Sequence, residues 1–325
     1  KQGASDADGD LLTVTDFTLT SGDGVGIVRD GDRLRINAFN PLLGLADGQQ
    51  RVSTYSYNLS DGNGGVTAQT ATVAIAGLPA LLWRNQVTGD NAAWFDQSNS
   101  NYTSLVGEFL STAALSDRTW QQVGSGDFNG DQLTDIVWRN QVTGDNAVWT
   151  LDRSTVTDAF FLPKVADRNW QIGGVADYNN DGQDDLIWQR QGTGDLAVWF
   201  MNGAEVGDGV ILPFNTAPNW ELAGVGNFDA DGVEDDLVLR HRVTGENEIW
   251  LMEGEVRQAV VDFLTLADPA WQIAGVADFN ANGNSDLLWR RDGSGENAIW
   301  YFEGTTLAQG EFLLTLADPS WTVTV

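Results

Sequence analysis

The sequence has no cysteine, so it can form neither a disulfide framework nor a thiolate that attacks or binds a metal. It has one histidine, His241, without a serine motif or a second imidazole around it, so a nucleophilic triad has no support. Basic residues are scarce: 17 Lys and Arg stand against 46 Asp and Glu, a formal charge of −29. Such a charge repels phosphate backbones and anionic bilayers, which argues against nucleic acid as a partner and leaves cations or basic groups. No apolar run approaches the roughly 20 residues of a spanning helix, so direct membrane insertion is not expected. The opening KQGASDADGD also lacks the charged and apolar regions of a signal peptide, and the chain reads as a mature or excised piece.

What is present is tryptophan and glycine, 14 and 37 of them, which points to an ordered, turn-rich β protein. The stretch WQIGGVADYNNDGQDDLIWQRQGTGDLAVW, from Trp170 to Trp199, is a unit that the chain copies. Its first tryptophan recurs at Trp120, Trp220, Trp271 and Trp321, with steps of 50 or 51 residues. The middle one, Trp188, recurs at Trp83, Trp138 and Trp289, with Leu239 in one copy, and the last, Trp199, at Trp94, Trp149, Trp250 and Trp300. Several short strands in a period of that length read as propeller blades, because one blade cannot bury both faces alone.

Each copy is expected to hold four strands, in the second copy Trp120–Asp127, Asp135–Gln141, Asn146–Asp152 and Val156–Leu162. Copies starting at Trp120, Trp170, Trp220 and Trp271 are complete. The segment from Leu81 supplies only strands two to four, and Trp321–Val325 only strand one. Joining these ends completes a fifth blade and leaves no free sheet edge. The fold expected is therefore all-β, a five-bladed β-propeller over residues 81–325. The rival is a piece cut from a longer array.

Residues 1–77 contain no copy. They alternate in the β manner through LLTVTDFTLT, GVGIVRDGDRLRINA, STYSYNLS and VTAQTATVAIAG, divided by turns such as Asp30-Gly31 and Asp61-Gly62-Asn63-Gly64. A small antiparallel β-sandwich is expected, followed by a short linker, 78–80. The segments Asp6-Ala7-Asp8-Gly9-Asp10 and Tyr57–Gly65 resemble those of the cadherin-like domains of bacterial adhesins, and the resemblance implies an extracellular spacer.

Between strands one and two every complete copy carries an acidic loop. The candidate ligands are Asp127, Asn129, Asp131, Leu133 and Asp135; then Asp177, Asn179, Asp181, Gln183 and Asp185. They continue with Asn227, Asp229, Asp231, Val233 and Asp236, and end with Asp278, Asn280, Asn282, Asn284 and Asp286. Side-chain oxygens at positions one, three, five and nine, a carbonyl at seven and Gly at six suit calcium, whose bonds to oxygen are about 2.3–2.6 Å. Asp, Asn and Gly also make good turns, but four loops at one phase of the period favour calcium. Up to four structural calcium ions are expected. The loop at Asp177 reads as the strongest. The first has Gln132 where glycine belongs, the third carries an extra residue at Asp235, and the fourth has only two carboxylates.

These loops within the tryptophan pattern resemble the FG-GAP or VCBS repeats of integrin-α-like propellers and several lectins. The resemblance implies a secreted, calcium-binding cell-adhesion module that binds a glycan or a cell-surface protein. A structural module without sugar affinity is the alternative, and a polysaccharide hydrolase or lyase is less favoured; no catalytic residue is assigned. The hairpins Thr88–Asn91, Thr143–Asn146, Thr193–Asp195, Thr244–Asn247 and Ser294–Asn297 are read as turn chemistry. A ligand-facing alternative uses Arg84, Arg139, Arg240 and Arg290 beside them. Most tryptophans are read as core, with an unspecified subset open to sugar.

Overall fold

The computed structural model describes residues 10–22, 24, 27–31, 33–36, 50–76, 78–96, 102, 105–111 and 115–325. Every regular element among them is a β-strand. The chain divides into two compact units at Gly77 and Leu78.

In the first unit, strands Thr13–Ser21, Gln50–Ser60 and Val66–Ala76 form a three-stranded antiparallel sheet. A separate hairpin pairs Ile27–Asp30 with Arg33–Ile36, its turn carried by Gly31 at φ +58. Phe17 stacks on Tyr55 at 4.8 Å, and Tyr55 is buried. The turn at Asp61 closes through its own carboxylate, which accepts the N–H groups of Asn63 and Gly65. Asp6 and Asp8 lie outside the described residues, whereas Asp10 accepts a bond from Asn63 Nδ2 at 2.7 Å.

Among its described residues the second unit holds five four-stranded antiparallel sheets. Sheet II holds Trp120–Gly126, Asp135–Asn140, Asn146–Asp152 and Thr155–Leu162, within one residue of the spans expected from sequence. Sheets III, IV and V begin at Trp170, Trp220 and Trp271. Sheet I is made from both ends of the unit: Trp321–Thr324 pairs with Leu81–Asn85 in the register Trp321↔Asn85 to Thr324↔Leu82, and Asn91–Asp96 and Leu105–Phe109 follow.

Burial follows position in the sheet. The second strands, such as DIVWRN at 135–140, are covered on both faces and read as continuous apolar runs, whereas the fourth strands form the exposed outer rim. Five hydrophobic clusters each belong to two neighbouring sheets, in the order I/II, II/III, III/IV, IV/V and V/I. The first strands of the sheets also neighbour one another around that same cycle. This is the arrangement of a β-propeller.

The inner strands approach so closely that glycine is needed. A Cβ built on Gly174 would lie 2.5 Å from Val225 Cγ2 and 3.3 Å from the Val225 nitrogen. Gly124, Gly224 and Gly275 meet Val175, Val276 and Val325 in the same way. These contacts line an axial cavity of about 410 Å³.

Candidate functional site

The four acidic loops lie at the same end of sheets II to V, each between a first and a second strand. Their side chains wind the turn. In the second loop Asp177 accepts the N–H of Asp181 and of Gly182, Asn179 that of Asp181, and Asp181 that of Gln183. The first loop repeats this through Asp127, Asn129 and Asp131, whose acceptors hold Gln132, Asp131 and Leu133 N–H groups. The sixth position is left-handed throughout: Gly182, Gly232 and Gly283 at φ +86, +90 and +85, and Gln132 at φ +68. Glycine adopts this backbone freely, so the first loop alone carries strain there.

The closing aspartates have a role that sequence reasoning did not supply. Asp135, Asp185, Asp236 and Asp286 are completely buried, and their Oδ1 atoms accept the N–H of Leu151, Met201, Met252 and Phe302 on the third strand. In three loops Oδ2 accepts the N–H of Phe128, Phe228 or Phe279. Each closing aspartate therefore ties its loop to its own sheet. Burial pushes Asp135, Asp185 and Asp236 up to about 7, against the pull of those N–H groups and with help from neighbouring loop carboxylates.

Position seven contributes in a second way. The side chains of Gln183 and Asn284 accept the N–H of Gly203 and Gly304 at the next hairpin of the same sheet. In the third loop the extra residue, Asp235, does this for Gly254, leaving Asp236 to close the loop. Loops also touch across sheets: Asp184 accepts the Asp127 N–H, and Ser285 Oγ accepts that of Asn227.

Among the described residues no three Asp, Glu or His side chains converge into a metal cluster. Two oxygens at candidate positions are nevertheless buried without a hydrogen-bond partner, Asp185 Oδ2 and Asn280 Oδ1. A buried acceptor left in that state is costly unless something else satisfies it.

At the opposite end of the sheets the four arginines are fixed in the packing and do not face a ligand. Arg84, Arg139, Arg240 and Arg290 are buried. Each donates to the Asn of its own hairpin, Asn91, Asn146, Asn247 or Asn297, at 2.8–3.0 Å. Each also donates to the carbonyl of its hairpin glycine and to that of Leu115, Val165, Leu266 or Leu316 in the linker. The guanidinium then lies 4.9–5.0 Å from the ring of the next sheet's middle tryptophan: Arg84 on Trp138, Arg139 on Trp188, Arg240 on Trp289 and Arg290 on Trp83.

The junction of sheets III and IV lacks all parts of this interlock. Gln189 replaces the arginine and Leu239 the tryptophan. Ala217 replaces the linker aspartate found at Asp117, Asp167, Asp268 and Asp318. Gln189 donates instead to Thr216 and to the Trp220 carbonyl, and accepts the Leu222 N–H. The three replacements fall in two successive copies and the linker between them, and only the fold shows that they meet. Burial lowers the arginine pKa values, and the linker carboxylates oppose that.

His241 takes the part that Asn85 and Asn140 play in sheets I and II. Its Nδ1 accepts the Thr244 N–H, as Asn140 Oδ1 accepts that of Thr143, and its ring packs edge-on against Trp220. Trp83, Trp138, Trp188 and Trp289 are buried, each paired with Trp94, Trp149, Trp199 or Trp300 at 4.7–4.8 Å. The five leading tryptophans are half-buried.

No family model matches the sequence, and no curated protein matches it. Similar solved structures include the Photorhabdus luminescens Tc holotoxin pore, at 15% identity and TM-score 0.40 over 88% of this chain. The chain spans only 15% of that pore chain. The WD40 domain of Toxoplasma gondii coronin is 10% identical, with 94% of this chain and 76% of that one covered and a TM-score of 0.34. The Dos1 propeller is 10% identical over 80% of this chain and 67% of its own, also at 0.34. The last two are β-propellers, and at such identities the likeness concerns the fold alone.

Proposed function

We propose that this is a secreted bacterial adhesion piece: a five-bladed, calcium-braced propeller of the FG-GAP/VCBS kind, carried behind a cadherin-like domain and binding a glycan or surface ligand. The observation that supports calcium is the repetition of one acidic turn at one end of four sheets, together with the unpartnered Asp185 Oδ2 and Asn280 Oδ1. In the second loop Asp177, Asn179, Asp181, Asp185 and the Gln183 carbonyl would hold the ion. Its charge would satisfy the buried Asp185 oxygen and offset repulsion among the loop carboxylates. The loop at Asp177 is the strongest candidate on both grounds, and the role is bracing.

No catalytic role is proposed for the closing aspartates. Three of the four buried closing aspartates commit both oxygens to backbone N–H groups of their own sheets. A module without sugar affinity is the second reading, favoured by the burial of the arginines and their hairpin partners in packing.

Calcium titration by calorimetry, paired with thermal unfolding in chelator, tests the bracing. Saturation at a hundred times Kd should add about 2.7 kcal/mol per site. Identical unfolding curves in millimolar calcium and in chelator would refute it. A glycan array tests the ligand class: defined sugars retained support the adhesin reading, and silence on every sugar favours the interaction module.

A further inference from the structure

The acidic loops are joined across sheets in two pairs. Asp184, which precedes the closing aspartate of sheet III, accepts the N–H of Asp127, the first residue of the sheet II loop. Sheets V and IV make the same link with other atoms. Ser285 Oγ accepts the Asn227 N–H at 2.9 Å, the Ser285 N–H donates to the Asn227 carbonyl at 2.9 Å, and Asn227 Nδ2 donates to the Gly283 carbonyl at 3.3 Å. Each link needs a glycine at the end of the neighbouring first strand: a Cβ built on Gly126 would overlap the Asp184 side chain, and one on Gly226 that of Ser285. The first strands of sheets III and V end instead in Ala176 and Ala277. At the III/IV junction the residue before the closing aspartate is Asp235, and it turns to Gly254 of its own sheet. Glycine and cross-sheet bond therefore alternate together from sheet II to sheet V.

The members of each pair also differ in what they leave unsatisfied. The unpartnered Asp185 Oδ2 and Asn280 Oδ1 belong to the loops of sheets III and V, the two that reach across, and Asp185 is completely buried. In the loops of sheets II and IV, which receive the link, the closing Asp135 and Asp236 already have both oxygens bonded.

We infer that calcium is taken up by these loops as two coupled pairs, sheet III with sheet II and sheet V with sheet IV, and that the links through Asp184 and Ser285 carry the coupling. This rests on the calcium reading above and says which sites act together. The physical basis is ordering. An ion held by Asp177, Asp181 and Asp185 fixes the stretch between them, and with it the Asp184 carboxylate that holds the start of the next loop. The loop at Asp127, which carries Gln132 at φ +68, then has less freedom to lose when its own ion arrives. Such coupling is reciprocal, so an ion at Asp127 raises the affinity at Asp177 by the same factor. The two pairs should act independently of each other, because Asp235 is committed to Gly254.

The test uses the full chain and a calcium chloride titration followed by hydrogen exchange, with the segments 127–135, 177–185, 227–236 and 278–286 read separately by mass spectrometry. Asp181→Ala removes a candidate ligand at an exposed residue. It should abolish the response of 177–185 and raise the calcium concentration that half-protects 127–135 at least about fivefold, while 227–236 and 278–286 stay unmoved. In a chain that already carries Asp184→Ala, Asp181→Ala should have no further effect on 127–135. Asp184→Asn keeps an acceptor and should preserve the coupling. Protection of 127–135 that ignores Asp181→Ala, or that still responds to it after Asp184→Ala, would overturn the pairing and leave the calcium bracing standing. Absence of calcium-dependent protection in all four segments of the parent chain would sink both.

Discussion

Removing Arg139 should cost far more than removing an ordinary surface charge, and it should do so by uncoupling sheet II from sheet III. The side chain donates to Asn146 Oδ1 at 2.8 Å and to the Gly144 and Val165 carbonyls at 3.4 and 3.3 Å, and it lies 5.0 Å from the Trp188 ring. A bond from a charged donor is worth about 1.5–3 kcal/mol, the two longer ones less, and a desolvated cation–π contact about 2 kcal/mol. Against this stands the cost of keeping a guanidinium out of water, which lowers its pKa. The expected net loss for Arg139→Ala is about 3–4 kcal/mol.

A double-mutant cycle with Trp188→Leu isolates the shared part, expected at about 1–2 kcal/mol. Equilibrium unfolding in urea, followed by both fluorescence and circular dichroism to check that the transitions coincide, gives the four free energies. The III/IV junction supplies the converse. Gln189→Arg alone should destabilise, because Leu239 offers no ring, Ala217 no carboxylate, and the Leu222 N–H loses its acceptor at 3.1 Å. Restoring Leu239→Trp and Ala217→Asp with it should recover the loss. A cost below about 1 kcal/mol for Arg139→Ala, or strict additivity with Trp188→Leu, would refute the interlock.

Gly174→Ala should lose about 1–3 kcal/mol by forcing a methyl against Val225, and Val225→Ala in the same chain should return part of it; denaturant midpoints decide. Gln132→Gly should gain up to about 1 kcal/mol by relieving the left-handed backbone, a net gain over the unfolded chain's added freedom that the same denaturant midpoints would show. Deleting Trp321–Val325 should expose the edge of the strand Leu81–Asn85, lower the unfolding temperature and promote self-association, which light scattering would detect. In chelator, the buried Asp135, Asp185 and Asp236, with folded pKa values near 7 against an ordinary carboxylate near 4, favour the fold fully below about pH 4. That contribution disappears as pH rises through 7, so the unfolding temperature should fall between pH 5 and 8. Calcium should flatten the slope, as should Asp185→Asn in part; a flat profile in chelator would contradict the assigned burial.

Much of the architecture was legible in the sequence because a propeller repeats itself. The period of the leading tryptophans and the orphan strands at the two ends placed the sheets nearly residue by residue. Periodicity cannot report what meets across a junction. Arg139 and Trp188 lie 49 positions apart in sequence and become neighbours only when two sheets stack, so the arginines read equally well as ligand groups. The acidic loops were legible as turns, but not the use of Asp135 and its equivalents to anchor a third strand sixteen residues on. The links through Asp184 and Ser285 carried no local signal either, because each joins two stacked sheets. By itself the sequence determined what each copy builds, since strand alternation and turn chemistry are local. The stacking of copies decided which charges are buried, which glycines are obligatory and which acidic loops are joined, because each of those depends on a neighbour about fifty residues away.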